Sequence, residues 1–105
     1  MDAIVAGHLC LDLIPDLTAL TPGFFNDNFK PGQLIQSGPA KLSTGGAVAN
    51  TGLALHKLGI STRLCARLGE DPLGYVLRQK IENQAADVED WFTSSPESST
   101  SYTIV

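Results

Sequence analysis

Ser43-Thr-Gly-Gly-Ala-Val-Ala-Asn-Thr-Gly-Leu-Ala-Leu-His-Lys-Leu-Gly59 places a glycine pair at the mouth of a helix and a glycine at its end. Val48, Leu55 and Leu58 recur at spacings of seven and three, with small alanines between them, which predicts a helix over 47–58. Gly59 suits the left-handed position that ends a helix. Asn50 follows Gly46 by four residues, one turn on and on the same face. A glycine pair lets the backbone approach a ligand closely. An amide one turn further on, both donor and acceptor, suits a polyhydroxylated ligand. On spacing alone, a plain turn before a helix with an exposed Asn50 accounts for the same residues.

Upstream, Ala3-Ile-Val-Ala-Gly-His-Leu-Cys-Leu-Asp12 opens with an apolar run lacking clean alternation, which predicts a strand buried on both faces of a parallel sheet. Asp12 falls at its carboxyl end, where open parallel sheets bind ligands. A carboxylate there can accept from two neighbouring hydroxyls; a turn-capping role fits equally. Asp16, after Pro15, reads as a loop residue, and His8 as a packed core histidine. Between Pro15 and Pro39 the Pro-Gly and Gly-Pro pairs predict turns, with short extended pieces near 24–29 and 33–37.

Downstream, Thr62 to Leu68 predicts a strand. Asp71-Pro72 gives an N-cap with proline at the first helical position, opening a helix to about Ala85 with Leu73, Val76, Leu77 and Ile81 on one face. Most of Gly69-Glu-Asp-Pro-Leu-Gly74 is explained by that cap. Strands follow at 88–93, with Trp91 and Phe92 as core, and at 100–105. The alternation is that of an α/β fold with a largely parallel sheet. The last strand is still running at Val105, so the chain reads as the front part of a longer fold.

A net charge of −4 with scattered Lys and Arg counts against nucleic acid and anionic membranes as partners. No apolar run reaches the length of a membrane span, and the start lacks a basic signal region, so the cytoplasm is the expected location. Cys10 and Cys65 lie in apolar runs and read as reduced, buried thiols. No His/Cys cluster supports a metal site. Also absent are the P-loop, the dinucleotide fingerprint G-x-G-x-x-G and the nucleophile elbow G-x-S-x-G.

Read together, these residues resemble one family. Ser43 to Gly59 looks like the N-terminal signature of the ribokinase-like, PfkB-type carbohydrate kinases. Arg67-Leu-Gly-Glu-Asp-Pro-Leu-Gly74 resembles their G-x-D-x-x-G segment, and Gly7-x-x-x-x-Asp12 their first strand. Ser99-Thr-Ser-Tyr-Thr-Ile-Val resembles the strand that follows. The resemblance implies a three-layer α/β/α fold with a largely parallel central sheet and a small β lid. Residues 1–105 would form the N-terminal part of one such domain, with the lid inserted at about 15–42 and the C-terminal catalytic portion absent. It implies ATP-dependent phosphorylation of a sugar, polyol or nucleoside hydroxyl, with Asp12, Gly45, Gly46 and Asn50 as substrate-binding residues. ATP and Mg2+ are implied as cofactors, held largely outside this segment together with the catalytic base. Lid strands bearing Phe24, Phe25 and Phe29 imply a homodimer. Ala47 stands where ribokinase itself carries lysine, a departure that counts against ribose. The rival reading is a non-catalytic sugar-binding or interaction module built on the same half-fold.

Overall fold

Gly7, at φ 141°, breaks the first apolar run into two strands. The computed structural model describes residues 2–105, apart from the side chains at 89 and 91; the expected core role of Trp91 lies outside the described residues. β1 (Ala3–Ala6) and β2 (Cys10–Asp16) join different sheets. The single strand expected over Ala3–Asp12 is therefore corrected, because a glycine in a conformation that other residues rarely adopt breaks the run between the two sheets. His8 sits at this break, exposed rather than packed in the core. Asp12 accordingly lies within β2, not at the end of the first strand.

The stretch expected to be extended near 24–29 is instead helix α1 (Pro22–Asn28). Thr21 caps it, its hydroxyl accepting from the Phe24 N–H at 3.1 Å, and Pro22 pre-sets the first helical φ. Phe25 and Phe29, four residues apart, stack at 4.8 Å. No strand forms over 33–37; the next is β3 (Gly38–Gly45), antiparallel to β2. Then follow α2 (Gly46–Lys57), β4 (Thr62–Gly69), α3 (Pro72–Gln84), β5 (Glu89–Ser95) and β6 (Tyr102–Ile104).

Two three-stranded sheets result. One is all parallel in the order β1-β4-β5; the other runs β3-β2-β6, with β2 and β6 parallel. The crossovers β1-to-β4 and β4-to-β5 pass through α2 and α3, as parallel neighbours require. Leu64 and Leu68 of β4 meet Leu53 of α2 and Leu77 and Ile81 of α3 in one core, which Leu9 and Leu11 join from the second sheet. The inner face of α2 is Val48, Ala49, Gly52 and Leu53, not the expected line through Leu55 and Leu58. Leu58 follows the last turn and is 77% exposed. The α3 face matches expectation: Leu77 and Ile81 are buried, with Leu73 and Val76 packed beside them. Phe92 of β5 packs on the same core, under the Arg78 guanidinium at 5.3 Å.

Candidate functional site

β2 carries Asp12 between two polar neighbours, Ser43 of β3 and Thr103 of β6, which are its register partners. Paired residues share a face of the sheet, and so do residues two apart on a strand, which adds Cys10 and Gly45. Asp12 is half-buried. Both of its carboxylate oxygens lie 2.7–2.8 Å from where a Gly45 side chain would begin. The glycine thus makes room for the carboxylate itself, which packs against the Gly45 backbone.

Gly46 is held at φ 86°, and a Cβ there would stand 2.5 Å from the His8 carbonyl oxygen. That carbonyl accepts the Val48 N–H at 3.0 Å, tying the first turn of α2 to the β1–β2 link. The glycine pair is therefore demanded by two crowding contacts and one left-handed φ. A flexible turn would need none of them. Asn50 stands one turn on, exposed on the face of α2 opposite its core residues. The structure thus brings Asp12, Gly45 and Gly46 together, with Asn50 projecting outward along the same helix.

Asp16 is the last residue of β2 and caps the following turn: the Thr18 hydroxyl and N–H both donate to it, at 2.6 and 3.0 Å. These bonds hold its carboxyl below the usual range. His56, in the last turn of α2, meets Asp87 at 2.8 Å. Both cysteines are free, Cys10 buried and Cys65 half-buried.

A second polar cluster was only half legible. Asp71 caps α3, accepting the Gly74 N–H at 2.8 Å, as its sequence context predicts. It also accepts from the Thr100 hydroxyl at 2.6 Å and the Thr100 N–H at 2.8 Å. Thr100 is buried, and its hydroxyl accepts the Gly69 N–H at 3.0 Å. No local pattern links two residues so far apart in the chain. Thr100 pins the approach to β6 and thereby sets Thr103 beside Asp12. Thr100→Val strands the Gly69 N–H in a buried place, so we expect a loss of about 1–3 kcal/mol, read from urea unfolding.

The Thr100 hydroxyl, then the Thr100 and Gly74 N–H groups, hold the Asp71 carboxyl below its ordinary value of 3.8. A lowered folded value favours the ionised form, so its stabilisation is present above the ordinary value and disappears as pH falls through the lowered one. The urea midpoint should therefore drop as pH falls from roughly 5 to 3, and the drop should be shallower in Asp71→Asn. Equal slopes in the two proteins would rule out this assignment.

Comparison with known proteins bears on the same arrangement. A model of the pfkB family carbohydrate kinases matches residues 3–103. A fructokinase from Halothermothrix orenii superposes with a TM-score of 0.68 at 22% identity, over 100% of this chain and 33% of that one. A carbohydrate kinase from Agrobacterium tumefaciens gives 0.73 at 24%, over 100% and 32%. A fructokinase from Xylella fastidiosa, solved with bound ATP, gives 0.69 at 20%, over 99% and 29%. At these identities the superpositions establish the ribokinase-like fold, and the chain spans about a third of the length of the structures it matches. Since the family model runs through both sheets and both long helices, this chain belongs to the pfkB family of carbohydrate kinases.

Proposed function

We propose that this chain supplies the sugar-binding face of an ATP-dependent kinase that phosphorylates a hydroxyl of a sugar or sugar-like substrate. The observation that carries this reading is the Asp12 carboxylate set against the side-chain-free surface of Gly45. Asp12 accepts from substrate hydroxyls, Gly45 and Gly46 admit the ring close to the backbone, and Asn50 contacts the outer edge. A carboxylate accepts from the hydroxyls of neutral polyols and repels polyphosphates.

The same chemistry bears on ATP and Mg2+. Among the described residues no group of three or more His, Cys, Asp or Glu side chains is placed to hold a metal ion. As proposed here, ATP, Mg2+ and the catalytic base belong to chain outside 1–105. The part of this chain is to bind and orient the acceptor. The location proposed is the cytoplasm; no helix among the described residues is long and apolar enough to cross a membrane.

The second sheet, with α1 beside it, is proposed as the lid. Phe24, Phe29 and Leu34 are exposed, and an apolar groove of 480 Å³ lies between Phe25, Phe29, Ile35 and Ile104. This is the surface proposed for a homodimer, which sedimentation at several concentrations would test.

Calorimetry with D-fructose, D-glucose, D-ribose and adenosine tests the main reading, run on residues 1–105 and on the polypeptide as its gene encodes it. We expect no ATP-dependent turnover from residues 1–105, and turnover of one of these acceptors by the complete gene product. Turnover by residues 1–105 alone would overturn the division of labour. Binding without turnover in the complete product would favour a non-catalytic sugar-binding module.

A further inference from the structure

Cys10 is buried, yet its sulfur does not face the apolar core. Its side chain shares a face of the second sheet with that of Asp12, two residues on. The thiol lies 3.4 Å from Asp12 Oδ1, a bond in which S–H donates to the carboxylate. Thr103, the β6 partner of Asp12, lies on the same face of the sheet. Cys10 is also the register partner of Gly45, the residue whose missing side chain makes room for the Asp12 carboxylate. The thiol therefore sits beside the carboxylate, on the same face of the sheet.

We propose that Cys10 is a positioning residue for Asp12, its S–H holding the carboxylate in place against Gly45 so that it meets substrate hydroxyls without first being ordered. The inference rests on the reading of Asp12 as a sugar ligand and adds to it the group that fixes the ligand's geometry. An aspartate has two rotatable side-chain bonds, and a half-buried one in a polar cleft samples several orientations. Each orientation lost on binding lowers affinity, and a pre-formed bond removes that cost. The thiol is a weak donor, but toward a carboxylate the bond is charge-assisted. Burial, followed by the hydrogen bond to Asp12 and its charge, pushes the Cys10 thiol up, so it remains a donor at neutral pH. A hydroxyl in the same place would do the same work. A methyl group or a branched aliphatic there would donate nothing.

The test uses the complete gene product and three variants at this position. Cys10→Ala and Cys10→Val both remove the donor, one leaving space and the other adding bulk; Cys10→Ser keeps a donor. The probe is whichever of D-fructose, D-glucose, D-ribose and adenosine the unaltered protein binds most tightly. We expect Ala and Val to weaken that binding roughly three- to tenfold, and Ser to stay within about twofold. In turnover assays the KM for the acceptor should rise in Ala and Val, with kcat and the KM for ATP unchanged. A merely structural role would instead make affinity follow thermal stability across the three variants, whether or not a donor is present. Affinity unchanged in both Ala and Val, or lowered equally in Ser, overturns the proposal. Asp12→Asn, measured alongside, separates the two levels. If it loses binding while Cys10→Ala and Cys10→Val do not, only the positioning role falls. If Asp12→Asn binds like the unaltered protein, or the unaltered protein binds none of the four probes, the sugar-ligand reading falls and takes this one with it.

Discussion

Replacing Asp12 with alanine is expected to weaken acceptor binding by about 100-fold while the protein stays folded. Hydrogen bonds to a charged partner contribute roughly 1.5–3 kcal/mol each, and the geometry lets this carboxylate accept from two hydroxyls. Half-burial discounts that sum, because water competes for the same oxygens; about 2–4 kcal/mol remains, or some 30- to 1,000-fold in Kd. The fold survives because the side chain fills no core position: the buried residues of β2 are Cys10 and Leu11. Calorimetry with the tightest-binding acceptor gives the affinity, and a thermal melt gives the stability. A change of less than about threefold in Kd, with the fold intact, would remove Asp12 from the site.

Gly46→Ala should produce the largest stability loss of any single methyl addition on this surface. Its φ of 86° costs an L-residue about 1–2 kcal/mol. The added carbon also meets the His8 carbonyl oxygen at 2.5 Å, and relieving that overlap costs roughly another 1–3 kcal/mol. The sum, about 2–5 kcal/mol, is a large share of what a domain of this size has. Gly59→Ala is the matched control. Its φ is nearly the same, 83°, but nothing lies within 4 Å of the new carbon. Urea unfolding of both variants isolates the crowding from the backbone strain. Equal losses would mean that the His8 contact relaxes freely and that the turn is not held where the site needs it.

Much of this arrangement could be read from the chain before folding. The Asp71-Pro72 start, the Gly59 stop and the apolar faces at Leu77 and Ile81 are local signals, and each appears where its chemistry placed it. The failures also have physical causes. The apolar run 3–12 hides a break between two strands at one glycine, since hydropathy records burial and not which sheet a strand joins. Proline and glycine around 22–32 signal turns, but Thr21 and Pro22 are also a helix start, and the stacked Phe25 and Phe29 support it. The inner face of α2 is built on Ala49 and Gly52, residues too small to stand out in an apolar pattern. At the site, the glycine pair and Asp12 were visible as candidates, while their neighbours Ser43 and Thr103 were not. Which strands flank β2 is decided by long-range pairing, and no short motif encodes it.

The pairing of β2 with β6 has a kinetic meaning as well. Leu11, Asp12 and Leu13 find Tyr102, Thr103 and Ile104 only after nearly the whole intervening chain has been gathered in. The β4–α3–β5 unit needs only near neighbours, whereas this contact must overcome the entropy of closing a long loop. The proposed acceptor site is therefore expected to be among the last parts to assemble and the first to open. Hydrogen exchange should show the Leu11 amide, which bonds the Ser101 carbonyl at 3.0 Å, losing protection before those of Leu64 and Leu68. A sugar that bridges Asp12 to its flanking strands would slow that opening, so substrate would act on this polypeptide partly as a chaperone of its own binding site.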